Sequence, residues 1–96
     1  MPNTFQKAKA HMRERQLDER GYLYCENCGK TTKELDAHHI VYRSERPKHP
    51  ELNNERNLIL LCRPCHTWFH DKKDRREQLM LNRNLKQLFD ESNRNS

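Results

Sequence analysis

The sequence predicts a small α+β fold, with two short strands and three helices held by a cross-link near their centre. Three observations lead there. Apolar residues recur at helical spacing near both ends, whereas residues 35–41 and 58–61 read as extended runs. All four cysteines fall in two Cys-x-x-Cys doublets, Cys25/Cys28 and Cys62/Cys65. Only 32% of the 96 residues are hydrophobic while 34% are charged, so the apolar core is thin and a staple is expected.

Taken in order, residues 3–20 read as a helix. Asn3 with Gln6 fits a capping pattern, Phe5, Ala8 and Met12 lie on one stripe, and Gly21 stands where the helix would stop. His11 on this charged helix reads as an exposed bystander. Residues 22–24 run extended into the first Cys-x-x-Cys knuckle, and Gly29 suits the tight turn that follows Cys28. The strand over 35–41 leads into a polar loop over 42–54, which contains Arg43, Arg46, Pro47, Lys48 and Pro50. Leu58-Ile59-Leu60-Leu61 reads as a fully buried strand. Pro64 suits the first turn of a helix reaching about residue 72. A last helix starts at Asp74, with Glu77 completing a capping box and Leu81, Leu85, Leu88 and Phe89 forming its apolar stripe. The tail over 91–96 is expected to fray. One domain over 1–96 follows: an N-terminal helix in 1–20, a stapled core in 21–72, and a C-terminal helix and tail in 73–96.

No apolar segment follows Pro2-Asn3-Thr4-Phe5-Gln6-Lys7, so no signal peptide is read, and no run approaches the roughly 18 apolar residues of a membrane span. The expected location is cytoplasmic. There, paired Cys-x-x-Cys favours metal over the alternative, a secreted protein stapled by disulfides. A net charge of +5 and a pI of about 9.2 suit a phosphate backbone, and also an acidic protein partner.

Two thiolate pairs on turns can close a tetrahedral four-sulfur zinc site, which leaves no open position and is therefore structural. Such a zinc would clamp the turn before the first long strand to the start of the helix that carries His66 and His70. Those histidines are four apart, on one helical face. His38 and His39 would point to opposite sides of a regular strand, and can share a cleft only where the strand ends or twists. Three neutral imidazoles from His38, His66 and His70 would hold a divalent ion with open positions for water and phosphate. His39 would remain free as a general base. Asp36 reads as a solvated strand residue, with contact to the catalytic cluster as the alternative, His49 as unrelated to metal, and Trp68 and Phe69 as packing residues.

The run His38-His39-Ile40-Val41, then Asn57-Leu58-Ile59-Leu60-Leu61-Cys62-x-x-Cys65-His66, then His70, resembles the HNH nuclease family. The Cys25-to-Gly29 lead-in belongs to the same resemblance, which covers about residues 20–72. It implies a ββα-metal (His-Me finger) fold: two antiparallel strands, a loop and a helix around one catalytic ion. By position, His39 matches the family's general base, Asn57 the middle Asn that tethers the loop, His66 and His70 the helix ligands, and His38 the remaining ligand. Many members carry Asp where His38 stands; the His-His form is similar to colicin-type nucleases. Three imidazoles favour transition metals over Mg²⁺, so Mg²⁺, Mn²⁺, Ni²⁺ and Zn²⁺ all stay open as the catalytic ion. Tyr42 stands where a proline often follows the His-Ile-x run.

The resemblance implies a metal-dependent HNH endonuclease that nicks or cuts DNA to leave 5′-phosphate and 3′-hydroxyl ends. Arg43, Arg46, Lys48 and Arg63 are the candidate phosphate contacts. Specificity would come from a homodimer or a larger partner, in a phage, restriction or mobile-element setting. The rival reading is a non-catalytic zinc module that binds nucleic acid or a protein; it gives the four clustered histidines no joint reason.

Overall fold

The computed structural model describes residues 5–94, with side chains described as far as Asp90. Asn3, the expected first cap, lies outside the described residues. Helix α1 (Phe5–Arg20) is followed by strand β1 (Asp36–His39), a single 3₁₀ turn (Glu55–Asn57), strand β2 (Leu58–Leu61), and helices α2 (Arg63–His70), α3 (Lys73–Asn82) and α4 (Leu85–Arg94). Among these residues no helix is long and apolar enough to cross a membrane.

The two strands pair antiparallel, with Asp36 opposite Leu61, His38 opposite Ile59 and His39 opposite Leu58. All four residues of β2 are buried, as their unbroken apolar run suggests. β1 is shorter than the expected 35–41. After His39 the chain leaves the ladder, and the Ile40 amide donates to the carbonyl of Asn57 instead (2.8 Å). Helix α2 packs across both strands, and the core gathers around β2, Ile40, Phe69, Leu85 and Phe89.

Helix α1 buries Ala8, Met12 and Gln16, a stripe at four-residue intervals. Gln16 is polar, yet its burial is matched by two bonds to the backbone of Tyr24: its amide donates to the carbonyl and accepts from the N–H, both at 3.0 Å. Gly21, at φ 79°, ends the helix as expected, its N–H donating to the Leu17 carbonyl. His11 is no bystander: with Arg15 it pairs to Glu55 and ties α1 to the 3₁₀ turn beside Asn57.

The knuckle closes through an antiparallel bridge between Tyr24 and Thr31 and through Gly29, at φ 81°, donating to the carbonyl of Cys25. Glu26 fastens it to β2: its N–H donates to the Leu60 carbonyl (2.8 Å), and its carboxylate accepts from the Leu60 N–H (2.6 Å).

The expected C-terminal helix is two helices. Asn84 takes a left-handed backbone (φ 53°), tolerable for asparagine, and resets the helix axis. Arg83 turns inward at this elbow, donating to the carbonyls of Leu58 (2.6 Å) and Arg56 (3.2 Å), while Arg56 donates back to those of Arg83 and Asn84. Burial holds the Arg83 guanidinium below its ordinary pKa, and Glu26 opposes that shift. The capping box does not form either. Lys72 occupies the N-cap with no side-chain bond, and Asp74 lies within the first turn. The break changes the helical phase: Leu81 is 81% exposed, and Leu79, Leu85 and Phe89 are the buried residues. α4 carries helical backbone through Arg94, into the tail expected to fray.

Leu85→Ala should therefore cost about 2–5 kcal/mol, whereas Leu81→Ala should stay within about 0.5 kcal/mol of the parent. Urea denaturation of the zinc-loaded chain measures both; equal losses would contradict the broken helix.

Candidate metal centres and cleft

Knuckle and helix start bring the four cysteines together. Cys25 and Cys62 are buried, Cys65 is half-buried and Cys28 exposed, and their sulfurs all lie within 4.8 Å of one another. The Cys28 and Cys62 sulfurs are 3.8 Å apart. A tetrahedral zinc with bonds of about 2.3 Å sets its sulfurs about 3.8 Å apart, so the cluster is compatible with zinc. Burial disfavours a thiolate at Cys25. The backbone N–H groups of Cys28, Cys62 and Asn27 outweigh burial and pull that thiol down to about 6. Cys65 is pushed up to about 12, first by burial and then by the neighbouring thiols, although the Asn27 amide partly offsets them. A bound dication would favour the thiolate form of both sulfurs.

The second cluster joins β1 to α2. The ring centroids of His38, His66 and His70 form a near-equilateral triangle with sides of 5.0, 4.9 and 5.1 Å. One nitrogen from each lies within 4.8 Å of the others. His38 is 6% exposed, and its Nε2 is the one buried side-chain nitrogen or oxygen without a hydrogen-bond partner among the described residues. Burial and the charges of His66 and His70 bring the His38 pKa down to about 4, so the ring is neutral near pH 7 and offers a lone pair. A buried, neutral, unpartnered imidazole beside two others fits a divalent transition metal.

Asp36 is half-buried and does not act as an independent solvated residue. Its carboxylate accepts from His66 Nδ1 (3.4 Å) and faces Arg63 (3.8 Å), which leaves His66 Nε2 as the free lone pair. The signal was present in sequence: Asp36 and His38 are two apart, on one face of the strand.

Strand alternation sends His39 the other way, against the Phe5 ring (5.3 Å between centroids). Because β1 ends at His39, that ring still borders the cavity of about 480 Å³ shared by His38, Tyr42, Arg43, His66 and His70. It also borders a second recess of about 550 Å³ with Phe5, Arg43, Lys48, Leu52 and Asn53. Its Nε2 lies 2.9 Å from Asn53 Oδ1, a residue that the sequence reading did not single out.

Asn57 does not reach this cleft. It is fully buried, accepts from the Val41 N–H (2.7 Å), and donates to the carbonyls of Val41 (3.2 Å) and Leu52 (3.0 Å). A single amide thus closes the loop just beyond His39. Arg76 braces the same loop, donating to the Ile40 carbonyl (3.1 Å) and Glu45 (2.6 Å) and stacking over Tyr42. The Glu45 carboxyl pays a burial cost, yet bonds from Arg76 and the Tyr42 N–H hold it below its ordinary pKa.

Of the basic candidates, Arg43 and Lys48 line the recess beside His39. Arg46 turns away to Asp90 on α4 (3.3 Å), and Arg63 stands 84% exposed over Asp36. His49 stacks on Phe89 (4.5 Å) and bonds the Phe89 carbonyl (2.9 Å). Phe69 is buried, as expected, but Trp68 is 41% exposed.

A sequence model of the HNH endonuclease family matches residues 25–72, half of the chain. Neither the curated proteins nor the solved structures contain a match.

Asn57→Ala would strip the Val41 N–H and two carbonyls of their buried partner. The expected cost is about 3–5 kcal/mol by urea denaturation. Asn54→Ala removes the 3₁₀ cap to the Arg56 N–H and the bond from its amide to the Glu51 carboxylate (2.7 Å), and should cost about 1–2 kcal/mol. Similar losses would refute the clamp.

Proposed function

The chain belongs to the HNH endonuclease family, and we propose that it is a metal-dependent endonuclease that hydrolyses DNA phosphodiester bonds. The observation that carries this reading is buried His38, with an unpartnered Nε2, clustered with His66 and His70 beside a cavity that His39 also borders. A zinc-only module gives those four imidazoles no shared task.

In this reading Cys25, Cys28, Cys62 and Cys65 hold a structural zinc, while His38, His66 and His70 hold the catalytic ion. That ion supplies Lewis-acid stabilisation of charge on the scissile phosphate and the leaving oxygen. Asp36 fixes the His66 ring through Nδ1, which keeps Nε2 aimed at the cluster. His39 accepts a proton from the attacking water as the water oxygen bonds to phosphorus and the bond to O3′ breaks. The departing 3′-oxygen then takes a proton from solvent, leaving 5′-phosphate and 3′-hydroxyl ends. Asn57 acts through the backbone, as a positioning residue for the His39 loop. Arg43 and Lys48 neutralise backbone phosphates without reading bases, so weakly specific nicking is expected.

The test is cleavage of supercoiled plasmid with Mg²⁺, Mn²⁺, Ni²⁺ or Zn²⁺ added in turn. Wild type should nick the plasmid, EDTA should abolish the nicking, and His39→Ala should slow it about 10²- to 10⁴-fold. Equal cutting by both proteins would remove His39 from its role. A folded, zinc-loaded wild type that cuts under none of these conditions would favour the non-catalytic module.

A further inference from the structure

The hydrogen bond at His39 points to a residue that the family motif does not assign. We propose that Asn53 is the positioning residue for His39: its side-chain oxygen fixes the imidazole with the proton on Nε2 and so presents the Nδ1 lone pair to the attacking water. This inference rests on the nuclease reading.

A neutral imidazole has two tautomers, and only the unprotonated nitrogen can act as a base. His39 Nε2 lies 2.9 Å from Asn53 Oδ1, an acceptor, so the proton belongs on Nε2. The other groups lining the recess leave that assignment standing. Phe5 meets His39 through its ring and offers no polar atom, the cations Arg43 and Lys48 cannot accept a proton, and His49 has both ring nitrogens engaged, with the Phe89 carbonyl and the Glu51 N–H.

The pairing is also held from both sides by one group. Asn57 grips Val41, two residues beyond His39, and Leu52, the residue before Asn53. A single buried amide therefore sets the spacing of the two segments that carry the pair. On this account Asn57 acts at a distance, and Asn53 is the side chain through which its effect reaches the imidazole. Asn53 is half-buried and sits outside the apolar core, so it can be changed without emptying that core.

The experiment uses the full zinc-loaded chain and two variants, Asn53→Leu and Asn53→Asp. ¹⁵N NMR of the His39 ring, recorded near pH 8 where an ordinary imidazole is neutral, should show the Nε2–H tautomer in wild type. Asn53→Leu should give a tautomer mixture and a kcat lower by about 10- to 100-fold, with KM, circular dichroism and metal content unchanged. Asn53→Asp keeps the acceptor and should restore the single tautomer and most of the rate. The proposal is overturned if wild-type His39 carries its proton on Nδ1, or if a folded Asn53→Leu cleaves at the parent rate. It is equally overturned if Asn53→Asp is as slow as Asn53→Leu. Should wild type cleave no DNA at all, the nuclease reading fails, while the NMR spectrum still decides whether Asn53 orients His39.

Discussion

The bonds made by the buried Asn57 amide are the constraint on which the rest of the cleft depends. β1 contributes only four residues, and its last is His39, so strand pairing alone cannot hold the chain that follows. Asn57 takes over where the ladder stops: its backbone carbonyl receives the Ile40 amide, and its side chain closes on Val41 and Leu52. A fully buried amide with all three of these bonds made is stabilising, whereas any one left unmade would be costly, so the loop has a single well-determined path. That path decides where His39 points.

Elements outside the family match support the same region. From the N-terminal side, α1 sets Phe5 against His39 and uses His11 and Arg15 to hold Glu55 beside Asn57. From the C-terminal side, α4 receives His49 and Arg46, while Arg76 of α3 holds Glu45 and the Ile40 carbonyl. The loop over 42–54 is thus tied at several points by charges that composition alone presents as a solvated basic surface. Arg46 illustrates the distinction: it reads as a candidate phosphate contact in sequence, and in the structure its guanidinium also reaches Asp90 (3.3 Å).

Much of the fold was legible in the residues. The apolar run over 58–61 reads as a buried strand and is one, Gly21 and Gly29 sit where the backbone needs positive φ, and the cysteine doublets and the histidine spacing announced two donor clusters. What escaped depended on contacts between segments distant in sequence. Leu81 fits the same helical stripe as Leu85, and the sequence pattern does not show that Asn84 breaks the helix at an elbow where Arg83 reaches the Leu58 carbonyl, leaving Leu81 in solvent. Asp36 is ambiguous until β1 meets α2, and Asn53 looks like an ordinary polar residue until the loop returns to His39. His11 gains a role only through Glu55, forty-four residues away. Periodicity records which face of an element is buried; it is silent on which partner a polar side chain will find.

One small scaffold is proposed to carry two metal sites with different donors, one sulfur and one nitrogen. The most direct measurement is X-ray absorption on the chain loaded with one equivalent of Zn²⁺ and then one of Ni²⁺. Four sulfur neighbours at about 2.3 Å are expected around zinc. Around nickel only nitrogen and oxygen neighbours are expected, a signal that disappears in the His66→Ala, His70→Ala double variant. A second ion that does not bind, or one that binds only through sulfur, would rule out the nitrogen site.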